Sequence, residues 1–158
     1  MTWQLAQLNV ARLRHPVEHP AIRDFVDGLD AVNALAERSE GFIWRLQDDT
    51  GNATSFHLYD DPLFIINMSV WESVEALMRF VQSDMHLSFL KRRREWFEKP
   101  EKAYAALWWV PAGHRPTVCE AQERLEHLRD TGPTAFAFSF RDRHPAPAAD
   151  NRTRSGSG

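Results

Sequence analysis

Cysteine is nearly missing: Cys119 is the single one in 158 residues. One thiol excludes an intramolecular disulfide framework and any CxxC metal site. Placed in an expected first helical turn, it is read as a small buried or half-buried side chain. Also missing are GxGxxG, the P-loop and HExxH. No His, Cys, Asp or Glu residues recur at metal-ligand spacing, so neither a bound metal nor a nucleotide held through those motifs is expected. Flavin held by another route stays open. No apolar run approaches the roughly 20 residues of a membrane span, and "MTWQLAQLNVARL" reads directly as a strand rather than as a secretory leader. The net charge of −3 lacks the basic excess that nucleic acid or an anionic membrane would select. Arg92, Arg93 and Arg94 are a local run, balanced by Glu95, Glu98 and Glu101. The expected compartment is the cytoplasm, and the expected partner a small molecule rather than nucleic acid or membrane.

What is present in quantity is apolar and aromatic. Hydrophobic residues make up 43% and charged residues 26%, the balance of a globular protein, and the length suits one domain with a real core. Six tryptophans, with Trp108 and Trp109 adjacent, exceed what core packing alone calls for. Each buried indole also needs an acceptor for its N–H.

Residues 3–13 alternate as a strand. From Pro20 to about Arg38 apolar residues keep helical spacing, with Gly41 marking the stop. "GFIWRLQDD" (41–49) reads as a second strand, "DDTGN" as a turn and "ATSFHLYD" as a short hairpin arm. "PLFIINMSVW" (62–71) is the strongest strand. Ser73 can cap a helix through Val81, and "SDM" interrupts it before a helix over 86–99. Residues 103–111 form another strand. Thr117 and Glu120 offer a capping box for a helix to about Arg129, and "AFAFSFR" (135–141) alternates as a last strand. The domain is thus read as 1–142, with 143–158, rich in Pro, Ala, Gly and Ser, as a disordered tail. No internal repeat is visible. The order β-α-β-(β)-β-α-β-α-β points to an α+β fold: a ferredoxin-like, split βαβ antiparallel sheet with helices on one face. Two such sheets face to face would close a dimeric α+β barrel.

The strand patterns give the sheet two unlike faces. Ala6, Leu8 and Val10 share a purely apolar face with Ile66, Met68 and Val70. The other is mixed, with Gln7, Asn9, Ile65, Asn67, Ser69 and Trp71. In 42–47, Arg45 and Gln47 alternate with Phe42, Trp44 and Leu46. A mixed face is either a solvent-exposed sheet face or the wall of a small-molecule pocket, which combines aromatic lining with a few placed polar groups. In the helix over 86–99, at about 100° per residue, His86 and Arg93 fall in the apolar stripe with Phe89, Leu90, Trp96 and Phe97. A buried guanidinium needs a partner: a carboxylate, a carbonyl, an aromatic face, a ligand, or solvent reached by snorkelling. His86 is a satisfied core histidine, a general acid/base, or an axial haem ligand. His114, in the loop "PAGHRPT", either carries function or only fixes the turn.

The blocks "LAQLNVARLR", "GFIWRLQDDTGNATS", "INMSVWESVEALMRFV", "HLSFLKRRREWFEK" and "ALWWVPAGHRPTVCEAQERLEHL", spread over residues 3–141, resemble the bacterial family called domain of unknown function 3291. That family in turn resembles the dimeric α+β barrel superfamily, which includes antibiotic-biosynthesis monooxygenases and haem-binding or haem-degrading enzymes. The resemblance implies a homodimer but supplies no reaction. The leading expectation is an enzyme of the cofactor-independent monooxygenase, cyclase or isomerase type, acting on an aromatic or polyketide-like compound without a cofactor. His86 would be the base and Arg93 the anion stabiliser. Asn9 and Asn67 would orient the substrate, and Trp44, Trp71, Trp96, Trp108 and His114 would line its pocket. The alternatives are a haem-binding protein with His86 as axial ligand and a non-catalytic ligand-binding dimer.

Overall fold

The structure, a computed structural model, describes residues 2–49, 51, 53, 56 and 58–148. Four strands form one sheet: β1 (Trp3–Arg12), β2 (Phe42–Arg45), β3 (Phe64–Trp71) and β4 (Ala105–Pro111), in the order β2-β3-β1-β4 with every pair antiparallel. The two central strands are those whose residues alternate most cleanly, because a strand buried on both faces must satisfy two packing surfaces at once. The order is that of two interleaved split βαβ units, so the ferredoxin-like α+β expectation holds.

Among the described residues five helices flank the sheet: α1 (Arg23–Glu37), α2 (Val74–Val81), α3 (Asp84–Lys91), α4 (Arg93–Trp96) and α5 (Val118–Thr131). A 3-10 turn at Pro20–Ile22 leads into α1. Ser73, Ser83 and Thr117 cap α2, α3 and α5, each hydroxyl accepting a backbone N–H three residues on. Among the described residues no helix is long and apolar enough to cross a membrane.

Three elements differ from the sequence reading. The single helix expected over 86–99 is two: α3 ends at Lys91 and α4 at Trp96, and Phe97 is already extended and bridges Leu13 of the first strand's end. Arg14 and Glu98 are drawn into that pairing, since Arg14 N–H donates to the Trp96 carbonyl and Glu98 N–H to the Arg12 carbonyl. Strand pairing thus overrides helical periodicity. The strand expected over 135–141 is a single bridge, Phe138 exchanging two 2.8 Å hydrogen bonds with Leu107 on the open edge of β4. Of the hairpin arm expected over 53–60, the described residues carry no strand and the rest lie outside the described residues. Residues 143–148 carry no regular structure, and the remainder of the expected tail lies outside the described residues. Cys119 is exposed, not buried.

The two sheet faces bury different cores. Ala6, Leu8, Val10, Met68, Val70 and Trp108 pack on Ala121, Leu125 and Leu128 of α5. On the opposite, mixed face, Leu5, Trp71 and Leu107 pack with Ala36 of α1 and Leu77 of α2, while Ile65 joins Phe25 of α1 and Trp96 of α4. The helices of the split units therefore lie on the mixed face, and α5 covers the apolar one.

Candidate functional site

Between the mixed face and α1–α4 lies a cavity of about 350 Å³. Its floor follows from the strand register. Leu5 stands beside Trp71 and Trp109, Gln7 beside Ser69 and Leu107, Asn9 beside Asn67 and Ala105, and Ala11 beside Ile65. At the β2 edge Phe42 stands beside Trp71 and Arg45 beside Ser69. The two middle rows thus form a polar band, Arg45–Ser69–Gln7 and Asn67–Asn9, with an aromatic row on one side and an aliphatic row on the other. Asn67 and Leu90 both line the cavity and are exposed, so it opens to solvent.

The band is internally bonded. Gln7 Nε2 donates to Asn67 Oδ1 at 2.7 Å and to Ser69 Oγ at 2.8 Å, and Trp71 Nε1 donates to the same Ser69 Oγ at 2.8 Å. Gln7 and Ser69 are the two buried polar residues of the described chain. Leaving either unbonded would cost about 1–3 kcal/mol, so the network holds them in place.

From Trp71 an aromatic chain climbs to the helices. Trp71 stacks on Phe80 of α2 with centroids 5.3 Å apart, and Phe80 meets the His86 ring edge-on at 5.1 Å. His86 lies in the first turn of α3, and its Nδ1 is buried with no hydrogen-bond partner. Burial lowers its pKa, offset in part by the Val81 backbone. The ring therefore stays neutral where an exposed imidazole would begin to protonate.

Arg93 opens α4 and lines the same cavity. Its guanidinium lies over the Tyr104 ring, 4.7 Å from the centroid. Among the described residues no carboxylate pairs with it, whereas its neighbour Arg92 takes both Asp24 and Glu95. The aromatic partner is one of those the sequence left open for Arg93.

Of the expected site residues, His86, Arg93, Asn9, Asn67, Trp71 and Trp96 line this cavity. Three do not. A bulge between Phe42 and Trp44 breaks the alternation of β2, so Trp44 packs with Val70's core on the α5 side and Phe42 takes the cavity position. Trp108 is fully buried on that side too, its Nε1 donating to Glu120 Oε2 at 3.0 Å. His114 is exposed, with Nε2 2.7 Å from Glu120 Oε1. Glu120 was read as closing a capping box, but its carboxylate serves Trp108 and His114 instead. Gln7, Ser69 and Arg45 had been set on the mixed face without a role. Their signal was shared parity with Asn9 and Asn67, one strand over. Among the described residues no group of three His, Cys, Asp or Glu side chains is arranged to hold a metal.

A family model described as Domain of unknown function (DUF3291) matches residues 4–154. None of the curated proteins matches. Among solved structures, a conserved protein from Methanosarcina mazei Go1 is similar at a TM-score of 0.50 and 11% identity, over 69% of this chain and 92% of that one. PA3566 from Pseudomonas aeruginosa gives 0.48 and 12%, over 74% and 98%. SnoaB, a cofactor-independent oxygenase from Streptomyces nogalater, gives 0.46 and 15%, over 73% and 96%. The Methanosarcina likeness speaks for the fold alone.

Proposed function

The chain belongs to the Domain of unknown function (DUF3291) family, and on that premise we propose that it is a small-molecule enzyme working in the cavity between its sheet and α1–α4. The substrate is an aromatic or polyketide-like phenol or enol, and the chemistry is that of a cofactor-independent monooxygenase, cyclase or isomerase. His86 takes the acidic proton, Arg93 stabilises the resulting oxyanion, and Asn9 and Asn67 orient the ring system between Trp71 and Trp96.

One observation carries this reading: His86, its pKa lowered by burial, lines the same cavity as Arg93, Asn9 and Asn67. A neutral imidazole can take a proton, and a general base near its operating pH contributes about 10²–10⁴ in rate.

Haem with His86 as axial ligand is the alternative. Titration with haemin is expected to give no saturable Soret band, and a band saturating at one per chain and lost in His86→Ala would replace this reading with haem binding. The catalytic reading is tested with a panel of phenolic and enolic polycyclic aromatics, incubated in air and under nitrogen, with product followed by mass spectrometry. Wild type is expected to turn over at least one, and His86→Ala to lose about 10²-fold or more of that rate while keeping its circular dichroism. Saturable tryptophan quenching without product would leave a binding protein, and full turnover by His86→Ala would remove the base.

A further inference from the structure

The polar band carries a cation at each end. Arg45 sits on β2, one edge of the sheet, and Arg93 lies over Tyr104, beside the start of β4 at the other. Three strand spacings of about 4.8 Å separate those edges, roughly 14 Å in all. Between them stand only amides and a hydroxyl, with Trp71 on one flank and Ile65 on the other.

The hydrogen bonds fix what the band offers. Ser69 Oγ accepts from both Gln7 Nε2 and Trp71 Nε1, which occupies both its lone pairs. Its own proton is left to donate, and among the described residues nothing accepts it. Asn67 accepts from Gln7 through Oδ1, so its NH₂ is free to donate as well. Arg45 uses Nε on Glu37 at 2.9 Å and Nη2 on Gln47 at 3.4 Å, leaving Nη1 without a partner among the described residues. Its side chain is only 12% exposed while Glu37 is 47% exposed, so the pair's solvated member is the acid. The band therefore presents the Ser69 and Asn67 donors beside the Gln7 and Asn9 amides, with a guanidinium at either end and an aromatic wall beside it.

We infer that this cavity selects an elongated, flat aromatic compound carrying acidic oxygens at both ends, one held by Arg93 and the other by Arg45 together with the Ser69 hydroxyl. The inference rests on the reading of the cavity as a small-molecule site and makes Arg45 and Ser69 specificity-determining residues. A neutral polycycle would leave Arg93, the Arg45 Nη1 group and the Ser69 proton without acceptors, and a mono-acid would satisfy only one end.

The test is equilibrium quenching of tryptophan fluorescence by three probes of one ring system: naphthalene-2,6-dicarboxylate, 2-naphthoate and 2-methylnaphthalene. The dicarboxylate is expected to bind at least 10-fold tighter than the naphthoate, and the methylnaphthalene weakest. Arg45→Gln and Arg93→Gln are each expected to erase the advantage of the second carboxylate while leaving naphthoate bound, and Ser69→Ala to reduce it. Equal affinities for mono- and dicarboxylate in wild type, or an advantage that survives Arg45→Gln, would overturn the two-ended site while leaving the pocket. Binding by none of the three would overturn both the inference and the reading beneath it.

Discussion

Burial penalises the His86 imidazolium more than the Val81 backbone favours it, which lowers the pKa, and this has a consequence for stability. The folded pKa lies below the ordinary value of about 6.5. Above that value the ring is uncharged in both states and its contribution is complete. As pH falls through 6.5 and on through the folded value, the unfolded chain takes up the proton first, and stability is lost. Urea denaturation at about pH 8 and about pH 5 should therefore show a larger acid loss for wild type than for His86→Gln; equal losses would mean that the ring is not held neutral. At Trp108 a second residue-scale prediction follows. Glu120→Ala strands a fully buried indole N–H and should cost about 1–3 kcal/mol, while Glu120→Gln keeps an acceptor and should cost under about 1. Equal costs for the two would assign the loss to something other than that bond. His86 and Arg93 were legible because parity and helical stripe are local properties. Trp44, Trp108 and His114 were not: a bulge turns Trp44, the register of β4 against β1 sets Trp108 beside Ala6, and His114 turns to Glu120.

At the scale of elements, the roof of the cavity hangs on few contacts. α3 buries no residue fully, and one of its anchors is Phe89, whose ring lies against Gly28 of α1 where a Cβ would overlap it. Arg92 to Asp24 at 2.9 Å adds an exposed ion pair, which solvent screens. In an ordinary helix interior Gly→Ala gains about 1 kcal/mol of propensity. Gly28→Ala should instead destabilise, because overpacking costs about 1–3 kcal/mol, and the displaced Phe89 should loosen α3. Adding Phe89→Leu is expected to recover much of the loss. A stabilised Gly28→Ala by urea denaturation would show that the ring moves aside freely. The break between α3 and α4 at Arg92 could not be read from periodicity, because both halves share one stripe; what ends α4 is the Leu13–Phe97 bridge, 84 residues apart in chain order and a matter of tertiary pairing.

For the whole molecule, the question is what covers the second face of the sheet. Sequence parity separated the faces correctly, and one of them was apolar throughout, suited to pack on helices. Within this chain α5 lies there, with Ala121, Leu125 and Leu128 on Leu8, Met68 and Trp108, and Arg124 ties the following segment down through its Nη1 to the Phe136 carbonyl at 2.8 Å. The capping box at Thr117 and Glu120 announced a helix but not which face it would take, because the choice depends on where the loop after β4 turns. A face of leucine, valine, methionine and tryptophan left bare would exceed the apolar patches that monomers tolerate. Ending the chain at Pro116 is therefore expected to produce self-association, read by sedimentation velocity, together with a red shift of tryptophan emission at low concentration as Trp108 meets water. A truncated chain that remained folded, monomeric and unshifted would mean that α5 is dispensable to this core.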